Sequence, residues 1–112
     1  MNLSADLLRG YTDTILLCQL EKEESYGYRL SKNVLEASRG NLDLKEGTLY
    51  TAFRRLESAG LIRSRWGDEA TGARRRYYSL TEEGRRKLEE DRASWTECRD
   101  ILDELITGGT RG

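Results

Sequence analysis

The chain has 112 residues, of which 37% are hydrophobic and 35% charged, and a formal net charge of −1. This length accommodates one domain with a modest core, and so small an apolar share suits helices that each carry a single buried stripe. Histidine is absent and there are only two cysteines, which removes the commonest general base and any tetrahedral Cys/His zinc site within one chain.

No apolar run approaches the roughly 20 residues that a bilayer requires. The first six residues lack the basic segment and apolar stretch of a secretory leader, so a cytoplasmic protein without a cofactor is expected. Cys18 and Cys98 lie in separate apolar patterns and read as small buried hydrophobes rather than a disulfide.

The apolar residues Leu7, Leu8, Tyr11, Ile15, Leu16 and Leu20 recur at helical spacing, predicting a first helix over residues 4–20 with Ser4 as its cap. Ser25 caps a second over 25–38, with Tyr26, Leu30, Val34 and Leu35 inward and Gly40 as its stop. The segment 42–44 is short enough for a brief strand. A third helix over 45–59 buries Leu49, Phe53 and Leu56 and ends at Gly60. Strands over 61–66 and 74–80, joined by a glycine-bounded turn at 67–72, form a hairpin. Thr81 caps a last helix running to residue 106, with Glu82 and Glu83 complementing its dipole, and a frayed tail follows over 107–112.

The fold class expected is therefore mainly α with a small β-hairpin: a winged helix-turn-helix over 1–80, then a long C-terminal dimerisation helix over 81–106. Charge distribution fits such a domain better than the net charge does. Residues 45–87 hold eleven Lys/Arg against six Asp/Glu, a local charge of +5, while the remainder carries −6. Such asymmetry gives a near-neutral molecule one face that attracts a polyanion.

In the third helix, the 100° step places Gly47, Thr51, Arg54 and Ser58 opposite the core, with Thr48, Tyr50 and Arg55 alongside. A small, polar outward face near a helix N-terminus is what the DNA major groove admits. Arg74, Arg75 and Arg76, just beyond the turn, suit a phosphate backbone, so that base contacts specify and the arginines position.

Tyr26-Gly27-Tyr28, Gly47-Thr48-Leu49-Tyr50, Arg55-Leu56-Glu57, Gly60-Leu61-Ile62, Gly72, Arg74-Arg75-Arg76-Tyr77-Tyr78, Leu80-Thr81 and Gly84 resemble, in this order, the PadR family of bacterial repressors. The resemblance extends from about Leu8 to Leu105 and adds Tyr28 to the candidate DNA contacts. One departure is Thr51, where many members have proline, which bears on base preference rather than on fold. The resemblance implies a homodimeric repressor of an inverted-repeat operator. Its short form is similar to multidrug-responsive members.

In the last helix Leu88, Trp95 and Leu102 are spaced by seven, with Asp91, Cys98 and Leu105 between them, a heptad-like seam with one polar break. A helix of about 25 residues, roughly 37 Å long, outruns what a small wing domain covers, and a second copy of the chain is the expected partner, with the first helix also at that interface. Trp95 reads either as an apolar knob in this seam or as a stacking surface for a flat aromatic ligand between two symmetry-related rings. The resemblance implies the second role, with Leu7, Asp13 and Thr14 at the rim and Asp13 and Asp91 favouring cationic aromatics.

Rival classes have weaker support. Carboxylates are scattered over helix surfaces with no nucleophile–base pair or phosphate loop, which disfavours an enzyme. A winged helix serving as a protein-interaction module would not need the arginine-rich wing. A metal-sensing regulator would need histidines or clustered thiols.

Overall fold

The computed structural model describes residues 3, 8–67 and 74–109. Among the described residues, four helices and a hairpin follow in the order α1 (Thr12–Lys22), α2 (Gly27–Ala37), α3 (Glu46–Ser58), β1 (Ile62–Trp66), β2 (Arg76–Leu80) and α4 (Glu82–Thr107). The mainly helical winged architecture read from the sequence is the one observed.

The predicted first helix is not continuous: it is broken at Gly10. Gly10 takes a φ of +92°, a left-handed conformation that no continuous α-helix tolerates, and the chain turns over residues 9–11 before α1 begins. The proposed cap Ser4 and rim residue Leu7 lie outside the described residues. From Thr12 onward the amphipathic pattern holds, with Leu16, Leu17 and Leu20 buried.

Ser25 does not cap α2. Its amide donates to the Tyr78 carbonyl at 3.0 Å and its carbonyl accepts from the Tyr78 amide at 2.7 Å, so it adds one residue of sheet beside β2. Tyr26 takes the N-cap position in extended conformation. The helix ends as expected near Gly40, whose φ is +81° and whose amide donates to the Leu35 carbonyl at 2.8 Å. Residues 42–44 are not a strand. They form the turn between α2 and α3, with Leu42 and Leu44 buried and the Leu42 amide donating to Ser38 Oγ at 2.9 Å.

The inward stripe of α3 is Leu49, Ala52, Phe53 and Leu56. Strands β1 and β2 pair antiparallel in the register Ile62↔Leu80 to Trp66↔Arg76. Ile62 and Tyr78 face the core, and the Tyr78 ring stacks on Phe53 with centroids 4.1 Å apart. Arg74 and Arg75 precede the paired strand, and the wing tip from 68 to 73 lies outside the described residues.

Thr81 caps α4 as the sequence predicts, its Oγ1 accepting from the Gly84 amide at 3.0 Å while donating to the Gly60 carbonyl at 2.7 Å. Gly84 does more than interrupt a capping box. It is buried, and a Cβ there would overlap the Leu61 carbonyl oxygen and stand 2.7 Å from Leu80 Cδ1. The helix continues to Thr107, one residue past the predicted end, and closes at Gly108, whose φ is +79°. Residues 110–112 of the expected tail lie outside the described residues.

Only the first turns of α4 are buried. Leu88 is 0% exposed and belongs to its own chain's core, which removes it from the predicted dimer seam. Beyond it the helix leaves the domain, and the molecule reaches 56 Å along its longest axis. Cys98, read as buried, is exposed there, and Cys18 is half-buried in α1.

Gly84→Ala is expected to cost about 1–3 kcal/mol through overpacking against the Leu61 carbonyl. Thermal unfolding followed by circular dichroism should show a Tm at least about 5 °C lower. An unchanged Tm would mean that the strand and helix separate without penalty.

Candidate nucleic-acid interface

Because α3 commits Leu49, Ala52, Phe53 and Leu56 to the core, its remaining residues face outward. Gly47, Thr48, Tyr50, Thr51, Arg54 and Arg55 are all exposed, as the periodicity predicts. Tyr28, at the start of α2, is 71% exposed beside them. The wing arginines Arg74, Arg75 and Arg76 are exposed too, and the structure brings them to the same side. A groove of about 940 Å³ runs between the N-terminal end of α2, α3 and the wing, with Tyr28, Tyr50, Arg54, Arg74, Arg75 and Arg76 around it and Phe53 and Tyr78 at its base.

Aromatic rings hold these cations in place. The guanidinium groups of Arg74 and Arg76 lie 5.0 and 5.3 Å from the Trp66 ring centroid, and Arg75 lies 4.6 Å from that of Tyr26. Trp66 is half-exposed, and its pairing with Arg76 across the hairpin explains the arrangement. Sequence reasoning placed Trp66 in the strand without giving it a role. The signal was the alternation of aromatic and basic residues on two strands whose register was not yet known.

Carboxylates fasten the base of the wing. Ser64 Oγ donates to Glu57 at 2.6 Å and accepts from Arg76 at 2.8 Å. Arg65 clasps Glu24 through Nε and NH2 at 2.9 and 2.6 Å, and this charge-assisted pair pushes the Glu24 carboxyl below its ordinary pKa. Burial pushes the Tyr78 phenol above its ordinary pKa. It therefore stays protonated, a neutral ring against Phe53.

On the other flank of α3 a second groove, about 500 Å³, is lined by Arg9, Gly10, Thr12, Asp13, Gly47, Thr48, Thr51 and Arg55. Here Arg55 is not presented alone. Asp13 of α1 accepts from both Arg55 Nε, at 2.9 Å, and NH2, a bidentate pair that raises the guanidinium pKa.

The predicted ligand-site residues fall around the junction of α1 and α4. Thr14 Oγ1 donates to Asp91 Oδ2 at 2.9 Å, and Lys87 Nζ lies 3.0 Å from Asp91 Oδ1, which raises the lysine pKa. Nearby, Arg92 reaches Glu21 at 2.8 Å, lowering the pKa of the carboxyl and raising that of the guanidinium. Asp13 and Asp91 are therefore each matched by a cation of this chain. These pairs lessen the negative charge that a cationic ligand would meet there. Trp95 is 44% exposed and meets Tyr11 edge to face, with centroids 5.3 Å apart. The periodicity predicts Tyr11 only as part of a buried stripe, whereas it stands at the N-cap of α1 against Trp95.

Further along α4, Cys98, Leu102 and Leu105 of the predicted seam are exposed, together with Ile101 and Ile106, which the heptad reading omitted. Leu105 and Ile106 are each 76% exposed. Among the described residues, no helix is long and apolar enough to cross a membrane.

The model of the Transcriptional regulator PadR-like family matches residues 16–90 of this chain. An uncharacterized protein of Lysinibacillus sphaericus is 34% identical over 104 residues, covering 93% of this chain and 95% of that one. Among solved structures, a transcriptional regulator from Clostridium thermocellum superposes with a TM-score of 0.85 at 38% identity, covering 91% of this chain and 99% of its own. A PadR family transcriptional regulator from Eggerthella lenta gives 0.80 at 37% identity, with 90% and 86% covered. A PadR family transcription regulator from Clostridium difficile gives 0.75 at 37% identity, with 87% and 99% covered. With its winged fold, its polar α3 face and a family match over two thirds of its length, this chain belongs to the PadR-like family of transcriptional regulators.

Proposed function

We propose that the protein is a homodimeric repressor that inserts α3 into the major groove of an inverted-repeat operator and sets the wing against the adjoining backbone. The observation that carries this reading is the shared groove: Tyr28, Tyr50 and Arg54 on the helical side face Arg74, Arg75 and Arg76 across it. In this reading Gly47, Thr48 and Thr51 approach base edges, where small residues admit close backbone contact, and the arginines take phosphates.

A second copy of the chain covers the outer part of α4. Trp95, Cys98, Leu102 and Leu105 keep the heptad spacing after Leu88 is withdrawn, and Ile101 and Ile106 widen the apolar face. Twofold pairing presents two copies of α3 to half-sites about 34 Å apart. Footprinting on the DNA upstream of the protein's own gene should reveal a protected inverted repeat. Protection of a single half-site would exclude the dimeric reading.

The Trp95 rings of the two copies form a stacking site for a planar aromatic molecule, whose binding lowers operator affinity only through a preference for the DNA-free arrangement. With Asp13 and Asp91 already paired, ring shape rather than positive charge selects the ligand.

Two measurements follow. Arg75→Ala should weaken binding to operator and unrelated DNA alike and reduce the slope of log affinity against log salt by about 0.9; an unchanged slope would remove Arg75 from the phosphate contacts. The Trp66→Phe variant leaves Trp95 as the sole tryptophan. Planar dyes, neutral or cationic, should quench its fluorescence at saturable concentration, and absence of quenching would remove the stacking site.

A further inference from the structure

The bidentate contact between Asp13 and Arg55 joins a helix that packs on α4 to the helix placed against DNA. Arg55 stands on the flank of α3, at the edge of the second groove and beside Thr48 and Thr51. That edge is where a DNA strand bordering the major groove would run if α3 occupies the groove, so the inference rests on the reading given above. The fork of an arginine fits a carboxylate and a phosphate in the same way, through two parallel N–H donors. In Arg55 both Nε and NH2 are already committed to Asp13.

We propose that Asp13 is an intramolecular competitor for the DNA phosphate, withholding Arg55 from the backbone and thereby limiting the protein's affinity for DNA. Three features make it effective. Asp13 lies in the first turn of α1, where the exposed amides favour a negative charge. Its neighbour Thr14 is bonded to Asp91 and Tyr11 rests on Trp95, so α1 is held against α4 and Asp13 keeps its place beside α3. The pair is also open to solvent, with side-chain exposures of 54% for Arg55 and 32% for Asp13. An ion pair of that kind adds little to folding, so its removal leaves the domain intact.

The test uses the full chain and a random-sequence duplex of about 30 base pairs, three helical turns, titrated by fluorescence anisotropy over a series of salt concentrations. Asp13→Asn should bind about three- to tenfold more tightly at ~50 mM salt, with a log–log slope steeper by about 0.9, the signature of one added phosphate contact. Combining Asp13→Asn with Arg55→Ala should abolish the gain. Arg55→Lys keeps the charge but loses the fork and should recover part of the gain even with Asp13 present. Equal or weaker binding by a folded Asp13→Asn would overturn the proposal by making Asp13 a positioning residue. A gain that persists without Arg55 would overturn it too, reducing the effect to loss of a negative charge. Absence of binding by the wild type at any salt would instead fail the functional reading on which the inference rests.

Discussion

The wing takes its position from two backbone hydrogen bonds between Ser25 and Tyr78. Both residues are buried, so an unpaired amide or carbonyl at either would carry the full cost of desolvation. Pairing there extends the hairpin to the residue before the N-cap of α2. The Tyr78 ring then lies on Phe53, on the inward side of α3. A single residue of β2 thus fixes the hairpin against two helices, and the groove between wing and α3 has a defined width because its base is rigid. Were this contact absent, Arg74 to Arg76 would sit on a two-stranded ribbon, which is marginal by itself.

Charge on this surface is ordered rather than merely abundant. Arg65 is taken by Glu24, and Arg76 is bonded to Ser64 with Glu57 behind it. These acids lie at the foot of the wing, where they anchor its strands. Trp66 and Tyr26 then hold Arg74 and Arg75 by their faces. A wing prepared in this way loses less side-chain freedom on meeting a polyanion than one carrying solvated arginines.

Local periodicity made most of the fold legible. The stripe Leu49, Phe53, Leu56 and the alternation in residues 61–66 each report one element's inner face, and both hold in the structure. What the sequence obscured depends on neighbours distant in the chain. A glycine within an otherwise helical pattern is tolerated often enough that Gly10 gave no clear break. Ser25 has the chemistry of a cap, and only its pairing with Tyr78 shows that its backbone is used elsewhere. Heptad spacing placed Leu88 correctly on one face of α4 but did not say which surface covers that face. The answer changes along the helix, from the domain's own core at Leu88 to open surface by Leu105. For the candidate site, Thr48, Tyr50, Thr51 and Arg54 followed from helical geometry alone. The partner of Arg55 did not, because an acid on another helix supplies it.

That acid lies in a segment of α1 with two duties. Tyr11, at the N-cap of α1, and Thr14 in its first turn both contact α4, through Trp95 and Asp91. Asp13 is rotated about 100° from Thr14 and points toward α3. The N-cap and first turn of α1 therefore contact Trp95 and Asp91 on one side and Arg55 on the other. A packed helix moves as a body rather than residue by residue, because displacement of one side chain carries its neighbours along the hydrogen-bonded backbone. The contacts on either side of this turn consequently share one rigid support, which places the ring environment of α4 and the outer edge of α3 in fixed relation.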